Sequence, residues 1–285
     1  DGGAYNDSSN INTTDLQVFS QEVRLSGESD RFNWVAGLYY SYDDMDEYYH
    51  YFMSDSLYGF GGVAFGVQPF AGAPILELDT KYQQETESAA VFAHVEYDLT
   101  SELTLVVGAR YTDETRDWTG CTYVSEDGSL GNFLNSLFPV NLGPGDCGTI
   151  NDIGGLSFAF DPYTDSINTS RVTGKVGLDW KPVEDTLVYA SISNGFKSGG
   201  FNGANSNTTT QLIPYQEEVL TAYEIGAMAT LLDGTMQVNG AVFYYDYQDK
   251  QEQDAAVTLV GNISDLTNVD ESEFARAELE ITWQP

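Results

Sequence analysis

The sequence predicts an all-β protein, a transmembrane antiparallel β-barrel with short turns on one side and long loops on the other. Three observations predict it. Apolar side chains recur at every second position through nine separate segments, the period of a strand and not of a helix. The connections between those segments alternate short and long. On the apolar phase, tryptophans lie near the short turns and most tyrosines near the long loops, which is how girdles at two bilayer interfaces are arranged.

In chain order, residues 1–14 are polar and read as an exposed loop. The first strand begins at Asp15, with Phe19, Gln21, Val23 and Leu25 on one side and Ser20, Glu22 and Arg24 on the other. After a turn from Gly27 to Asp30, the second places Phe32, Trp34, Ala36, Leu38, Tyr40 and Tyr42 on one face. Asp43 to Glu85 is expected to be a long insertion with its own aromatic cluster, including Tyr58 and Phe60. The third strand runs from Ala89 to Tyr97 and the fourth from Leu103 to Tyr111, joined at Asp98 to Glu102.

Asp113 to Asn168 is the longest expected loop. The fifth strand, Val172 to Trp180, turns at Lys181 to Asp185 into a sixth, Thr186 to Asn194, whose faces the pattern does not assign. Gly195 to Gln216 is a loop, and Gly195, Gly199 and Gly200 mark where strand opens into it, with φ free to turn positive. The seventh and eighth strands, Tyr223 to Leu231 and Met236 to Tyr244, meet at Asp233 and Gly234, a two-residue hairpin signal. A polar stretch after Asp246 precedes the ninth, Ala275 to Trp283.

Composition narrows the function. With 28 Gly, 19 Tyr and 15 Phe among 285 residues, the chain fits a many-stranded protein whose tyrosines sit half wet and half dry. A formal charge of −33 leaves no basic footprint, so nucleic acid is excluded as a partner. No run of 18 apolar residues is present, which excludes a transmembrane helix but not a barrel. No secretory signal is visible at Asp1, so the chain reads as mature, truncated or incompletely represented. Two cysteines without a neighbouring histidine cannot make a zinc site, so Cys121 and Cys147 read as a disulfide formed outside a reducing compartment, with inert free thiols as the alternative.

The stretch from Tyr189-Ala-Ser-Ile-Ser-Asn-Gly-Phe-Lys-Ser-Gly-Gly-Phe-Asn202 through Tyr223-Glu-Ile-Gly226 to Val238-Asn-Gly-Ala-Val-Phe-Tyr-Tyr-Asp246 resembles the barrel of TonB-dependent outer-membrane receptors. Gln21-Glu-Val-Arg-Leu25, Trp34-Val-Ala-Gly-Leu-Tyr-Tyr40, Val107-Gly-Ala-Arg-Tyr-Thr112 and Ala277-Glu-Leu-Glu280 resemble further strands of that family. The resemblance implies that residues 1–285 belong to one 22-stranded barrel domain, with about nine strands here. It also implies that the plug, the TonB box and the C-terminal strands lie outside this sequence.

By that resemblance the protein is a Gram-negative outer-membrane receptor. It binds a scarce small nutrient (a siderophore, vitamin, metal complex or oligosaccharide) and imports it with energy from the TonB–ExbB–ExbD complex through the plug. Its further partner is outer-membrane lipid. Two other classes stay open: a passive porin, and a secreted soluble β-sandwich or adhesin. No Ser-His-Asp arrangement is locatable around His50 or His94, so enzymatic chemistry is not expected, and neither is a cofactor.

Candidate sites follow from residue type. Tyr48, Tyr49, Tyr51 and Phe52 could stack on a flat ligand, and Arg110 and Arg171, on the lumen phase, could receive an anionic one. Asp43, Asp44 and Asp46 form an acidic loop mouth where calcium is possible, although the spacing is not that of an EF-hand. Trp34, Trp180, Trp283, Tyr40, Tyr42, Tyr111, Tyr223 and Tyr244 are the candidate interface girdles.

Overall fold

A computed structural model describes residues 9–53, 74–153, 160–204, 206–258 and 261–284, with side chains of 255–264 left aside. Nine strands follow in chain order: β1 (Ser9–Ser29), β2 (Phe32–Phe52), β3 (Glu77–Asp98), β4 (Leu103–Tyr123), β5 (Tyr163–Trp180), β6 (Thr186–Lys197), β7 (Glu218–Leu231), β8 (Met236–Thr258) and β9 (Gly261–Trp283). They form one sheet in the order β1 to β9, each antiparallel to the next. The sheet is open, with β1 and β9 as its two edges.

The register explains the face assignment. Val23, Leu38, Val91, Tyr111 and Val172 are successive partners across five strands, and all of them are exposed. Leu279 is 71% exposed and Val172 65%. A contiguous apolar surface of that kind needs an apolar partner, and on the outside of a transmembrane barrel that partner is lipid. One position along, the row Glu22, Tyr39, Ala90, Thr112 and Arg171 lies on the opposite, inner face. For the sixth strand, pairing of Trp180 with Val188, Leu178 with Ala190 and Val176 with Ile192 sets those three β6 residues outward.

Most strands outrun their predicted ends. Residues 9–14, expected in a loop, are strand, and so are 43–52, 77–85, 113–123 and 163–168. The hydrophobic alternation stops where lipid stops, but the backbone ladder continues because both faces there are polar or aromatic and lose nothing by staying paired. The polar stretch after Asp246 is likewise no long loop: β8 and β9 pair up to Thr258 and Gly261 as a tall hairpin. Tyr58 and Phe60 lie outside the described residues.

The short turns are built locally. In the β3–β4 turn, Thr100 Oγ1 accepts the amides of Glu102 and Leu103, each at 3.1 Å. Between β7 and β8, Asp233 (φ 53°) and Gly234 (φ 89°) have the positive φ that a type I′ turn requires, and the Thr235 amide donates to Leu232 O at 3.1 Å. Leu232 is also at φ 55°, however, so pairing resumes only at Leu231 and Met236 and the connection is four residues long.

The β4–β5 and β6–β7 connections fold onto the inner face at the end away from the short turns. Helix α1 (Ser129–Leu137) packs Leu130, Phe133 and Leu134 against Ile75, Val124 and Ile150. Phe201 and Leu212, from the β6–β7 connection, pack on Trp118 of β4. A disulfide joins Cys121 and Cys147, with Cα atoms 5.9 Å apart. It brings Thr149 and Ile150 against the β6–β7 connection, where Thr149 donates to Ser206 O and Ile150 pairs with Thr208. Gly199 and Gly200 do not take positive φ. They are needed for close approach, since a Cβ on Gly199 would fall 2.4 Å from Tyr215 O and one on Gly200 2.5 Å from the Tyr215 hydroxyl oxygen.

Candidate functional site

From the level of the outward tyrosines upward, alternate residues of three strands converge on the inner face. β2 contributes Tyr39, Ser41, Asp43 and Met45, β3 contributes Thr86 and Ser88, and β4 contributes Arg110, Thr112, Glu114 and Arg116. With Phe196 and Ser198 from the end of β6, they enclose an open cavity of about 560 Å3. The period of two makes this possible, because each strand offers its polar phase to the same side.

Its electrostatics are mixed. The Arg110 guanidinium lies 5.1 Å from the Tyr39 ring centroid and 5.8 Å from that of Phe92, and its Nε donates to Thr112 Oγ1 at 3.0 Å. Arg116 donates to Gly199 O at 2.8 Å and to Glu114 Oε1 at 3.0 Å. That leaves the buried Arg116 Nε and the buried Asp43 Oδ1 without hydrogen-bond partners. An unmet donor and an unmet acceptor in one cavity are costly unless something polar meets them.

Further along the same face, the Glu47 carboxylate gathers four donors: Asn12 Nδ2 and the Tyr49 hydroxyl at 3.0 Å, Thr14 Oγ1 at 3.1 Å, and the Tyr82 hydroxyl. Burial acts to raise its pKa, but the four hydrogen bonds outweigh it and hold the carboxyl below its usual range. Burial and the Glu47 charge push the Tyr49 hydroxyl up to about 12 and the Tyr82 hydroxyl higher still.

The aromatic cluster is divided by the strand. Tyr49 and Tyr51 face inward, stacked at 5.8 Å, and Tyr51 donates to Ala204 O at 3.1 Å. Tyr48 and Phe52 are on the outward phase with His50. Arg110 lines the cavity, whereas Arg171 is engaged by Glu217 at the foot of the β6–β7 connection.

The acidic loop mouth is corrected too. Asp43 faces inward and Asp44 and Asp46 outward, because they lie on a strand and alternate, and Gln83 donates to Asp44 at 3.2 Å. Among the described residues no group of three His, Cys, Asp or Glu is placed to hold a metal. His94, on the inner phase, meets Glu96 at 3.4 Å.

Tyr40, Tyr111, Tyr223, Tyr244, Trp180 and Trp283 are exposed on the outward face, and Tyr42 shares their phase. Trp34 lies over Gly27, where a Cβ would come within 2.7 Å of the indole nitrogen. Arg116, Glu114, Glu47 and Trp118 were not predicted as site residues. Arg110, Thr112, Glu114, Arg116 and Trp118 are five successive members of one strand phase, but beyond Tyr111 the other phase is polar too, so the alternation does not single them out.

Residues 1–284 match the family described as TonB dependent receptor-like, beta-barrel. The chain belongs to the TonB-dependent receptors. The pesticin receptor of Yersinia enterocolitica is 26% identical over 117 residues, covering 41% of this chain and 16% of that protein. The ferric yersiniabactin uptake receptor FyuA of Yersinia pestis superposes with a TM-score of 0.66 at 17% identity, over 98% of this chain and 34% of its own. The siderophore receptor PiuA of Acinetobacter baumannii does so at 0.61 and 16% identity, over 96% and 36%. The chain therefore spans about a third of the solved receptors it matches. TonB-dependent receptors are outer-membrane proteins of Gram-negative bacteria, and they are transport receptors, not enzymes. The family binds nutrient ligands and TonB.

Proposed function

We propose that this TonB-dependent receptor captures a metal chelate or similarly compact nutrient on its extracellular side and imports it with energy from the TonB–ExbB–ExbD complex. The observation that carries the reading is the inner cavity with Arg110 and Arg116 opposite Asp43, where one guanidinium nitrogen and one carboxylate oxygen lack partners. Such a site suits a ligand of low net charge that presents both acceptors and donors. A strongly anionic chelate fits less well, because Arg171 is already held by Glu217 and the chain carries a charge of −33. The similarity to a ferric yersiniabactin uptake receptor and to a siderophore receptor supports the metal-chelate class.

The test is import of a panel of ferric chelates by cells expressing the full-length receptor, with and without a functional TonB. TonB-dependent uptake of one chelate, weakened about 10- to 100-fold in binding by Arg110→Ala or Arg116→Ala, is the expected result. Uptake that persists without TonB would indicate a passive pore. Full affinity in both arginine variants would remove the cavity from the reading.

A further inference from the structure

A second groove, of about 410 Å3, opens on the other face of the sheet. Most of its lining, including Asp15, Asp46, Tyr48, Lys81, Gln83 and Tyr123, is on the outward phase of β1 to β4, and Glu47 and Tyr82 of the inner phase border it between these residues. The transport reading makes no use of it. Tyr48 is six positions beyond Tyr42 on β2. At about 3.3 Å per residue and a tilt of roughly 40°, that places the groove about 15 Å above the outward tyrosines. This height is clear of hydrocarbon and of the interface itself, yet on the same surface and strands as the lipid-facing band.

The contents are specific. Lys81 Nζ lies 5.1 Å from the Tyr48 ring centroid and 5.5 Å from that of Tyr123, and the Tyr48 ring is fixed by its hydroxyl, which donates to Asp79 Oδ1 at 3.0 Å. Asp15 and Asp46 are register partners, and Gln83 is the next partner of Asp46. Two carboxylates directly across a strand pair repel each other, so the arrangement does not stabilise the sheet. Two aromatic rings, one of them anchored through its hydroxyl, beside carboxylate acceptors and a few donors make a surface for polyhydroxylated rings: C–H faces lie on the tyrosines while hydroxyls bond the rim. The carboxylates outnumber the single lysine, which disfavours a phosphate.

We infer that this groove binds the core oligosaccharide of an outer-leaflet glycolipid, with sugar rings on Tyr48 and Tyr123, hydroxyls donating to Asp15 and Asp46, and Lys81 and Gln83 donating in return. The inference rests on the outward face being the lipid-facing one. Continuity with that face selects the occupant: a glycolipid anchored in the leaflet beside β1 to β4 carries its sugars past this height.

The test uses the full-length receptor in phospholipid nanodiscs doped with glycolipid bearing either a complete core or only its phosphorylated, core-free lipid anchor. Retained glycolipid is counted by native mass spectrometry. The expected result is at least about a 10-fold preference for the complete core, lost in Tyr48→Ala and Tyr123→Ala and kept in Tyr48→Phe, which preserves the ring. Folding of each variant is checked by its heat-modifiable electrophoretic mobility. Equal retention of the two glycolipids overturns the inference, as does a preference that survives both alanine variants or a groove covered by a second receptor copy in cross-linking. A receptor that enters nanodiscs but shows no core preference defeats this inference alone; one that does not enter them defeats the membrane reading as well.

Discussion

The ring of Phe201 stacks on the indole of Trp118 with centroids 5.5 Å apart and planes 19° from parallel, so a residue of the β6–β7 connection is seated on the barrel wall. Tyr82 stacks on the same indole at 5.7 Å. Gly203 passes so close that a Cβ there would be 2.6 Å from the Tyr82 ring.

Phe201→Ala should therefore free the connection while leaving the wall intact. Truncating a buried phenylalanine costs about 3 to 5 kcal/mol, and here the loss falls on a local opening. Amide exchange over residues 198–204 and 206–217 should accelerate more than 100-fold, with β4 unchanged. Unaltered exchange would show that the polar anchors alone hold the connection.

The disulfide should act on the same connection indirectly. Cys121 and Cys147 are 26 residues apart in sequence, and closing a loop of that size stabilises by about 3.5 kcal/mol in the chain-entropy model. Cys121→Ser with Cys147→Ser, or reduction, should release Thr149 from Ser206 and loosen both connections together. Limited proteolysis with and without reductant reads this out, and identical digestion patterns would refute the coupling.

Glu47 predicts a pH dependence. Its folded pKa is depressed, so its contribution is complete above the ordinary carboxylate range and is lost as pH falls through the lowered folded value. Amide exchange at residues 10–14 and 47–51 should rise on going from pH 7 to about pH 3, after correction for intrinsic rates. In Glu47→Gln it should already be raised at pH 7 and stay flat. The same acid transition in that variant would assign the effect to another group.

The two faces of β5 should differ in tolerance. A charge facing lipid near the midplane costs about 2 to 4 kcal/mol, and one in the lumen far less. Val176→Arg, midway between the Tyr111 and Trp180 levels on the outward face, should lower the denaturant midpoint of the reconstituted receptor, whereas Thr173→Arg on the opposite face should leave it nearly unchanged. Similar shifts for both would reverse the facing drawn from the row Tyr111 to Val172.

How far the sequence reached is clear from particular strands. The second strand was legible from Phe32 to Tyr42 because lipid demands an apolar residue at every outward position there. Beyond Tyr42 that demand ends, so Asp43 to Phe52 looked like a loop although its ladder with Glu77 to Thr86 is unbroken. Arg110 is legible because it lies on the polar phase, opposite the apolar run that ends at Ala109 and Tyr111. Arg116 and Glu47 lie where neither face is apolar, so nothing in the pattern distinguishes them. The cavity also depends on Phe196 and Ser198, brought there by a connection whose path no periodicity encodes.

The unbroken register from β1 to β9 constrains how such a wall can change over time. One residue added to β4 ahead of Val107 would turn Arg110 and Arg116 toward lipid and Val107 and Tyr111 toward water, whereas two would restore every facing. Length variation among descendants of this wall should come in pairs within the strands and in any number within the connections. The rim is then free to diversify in length and chemistry while the part that lives in the bilayer changes by even steps or not at all.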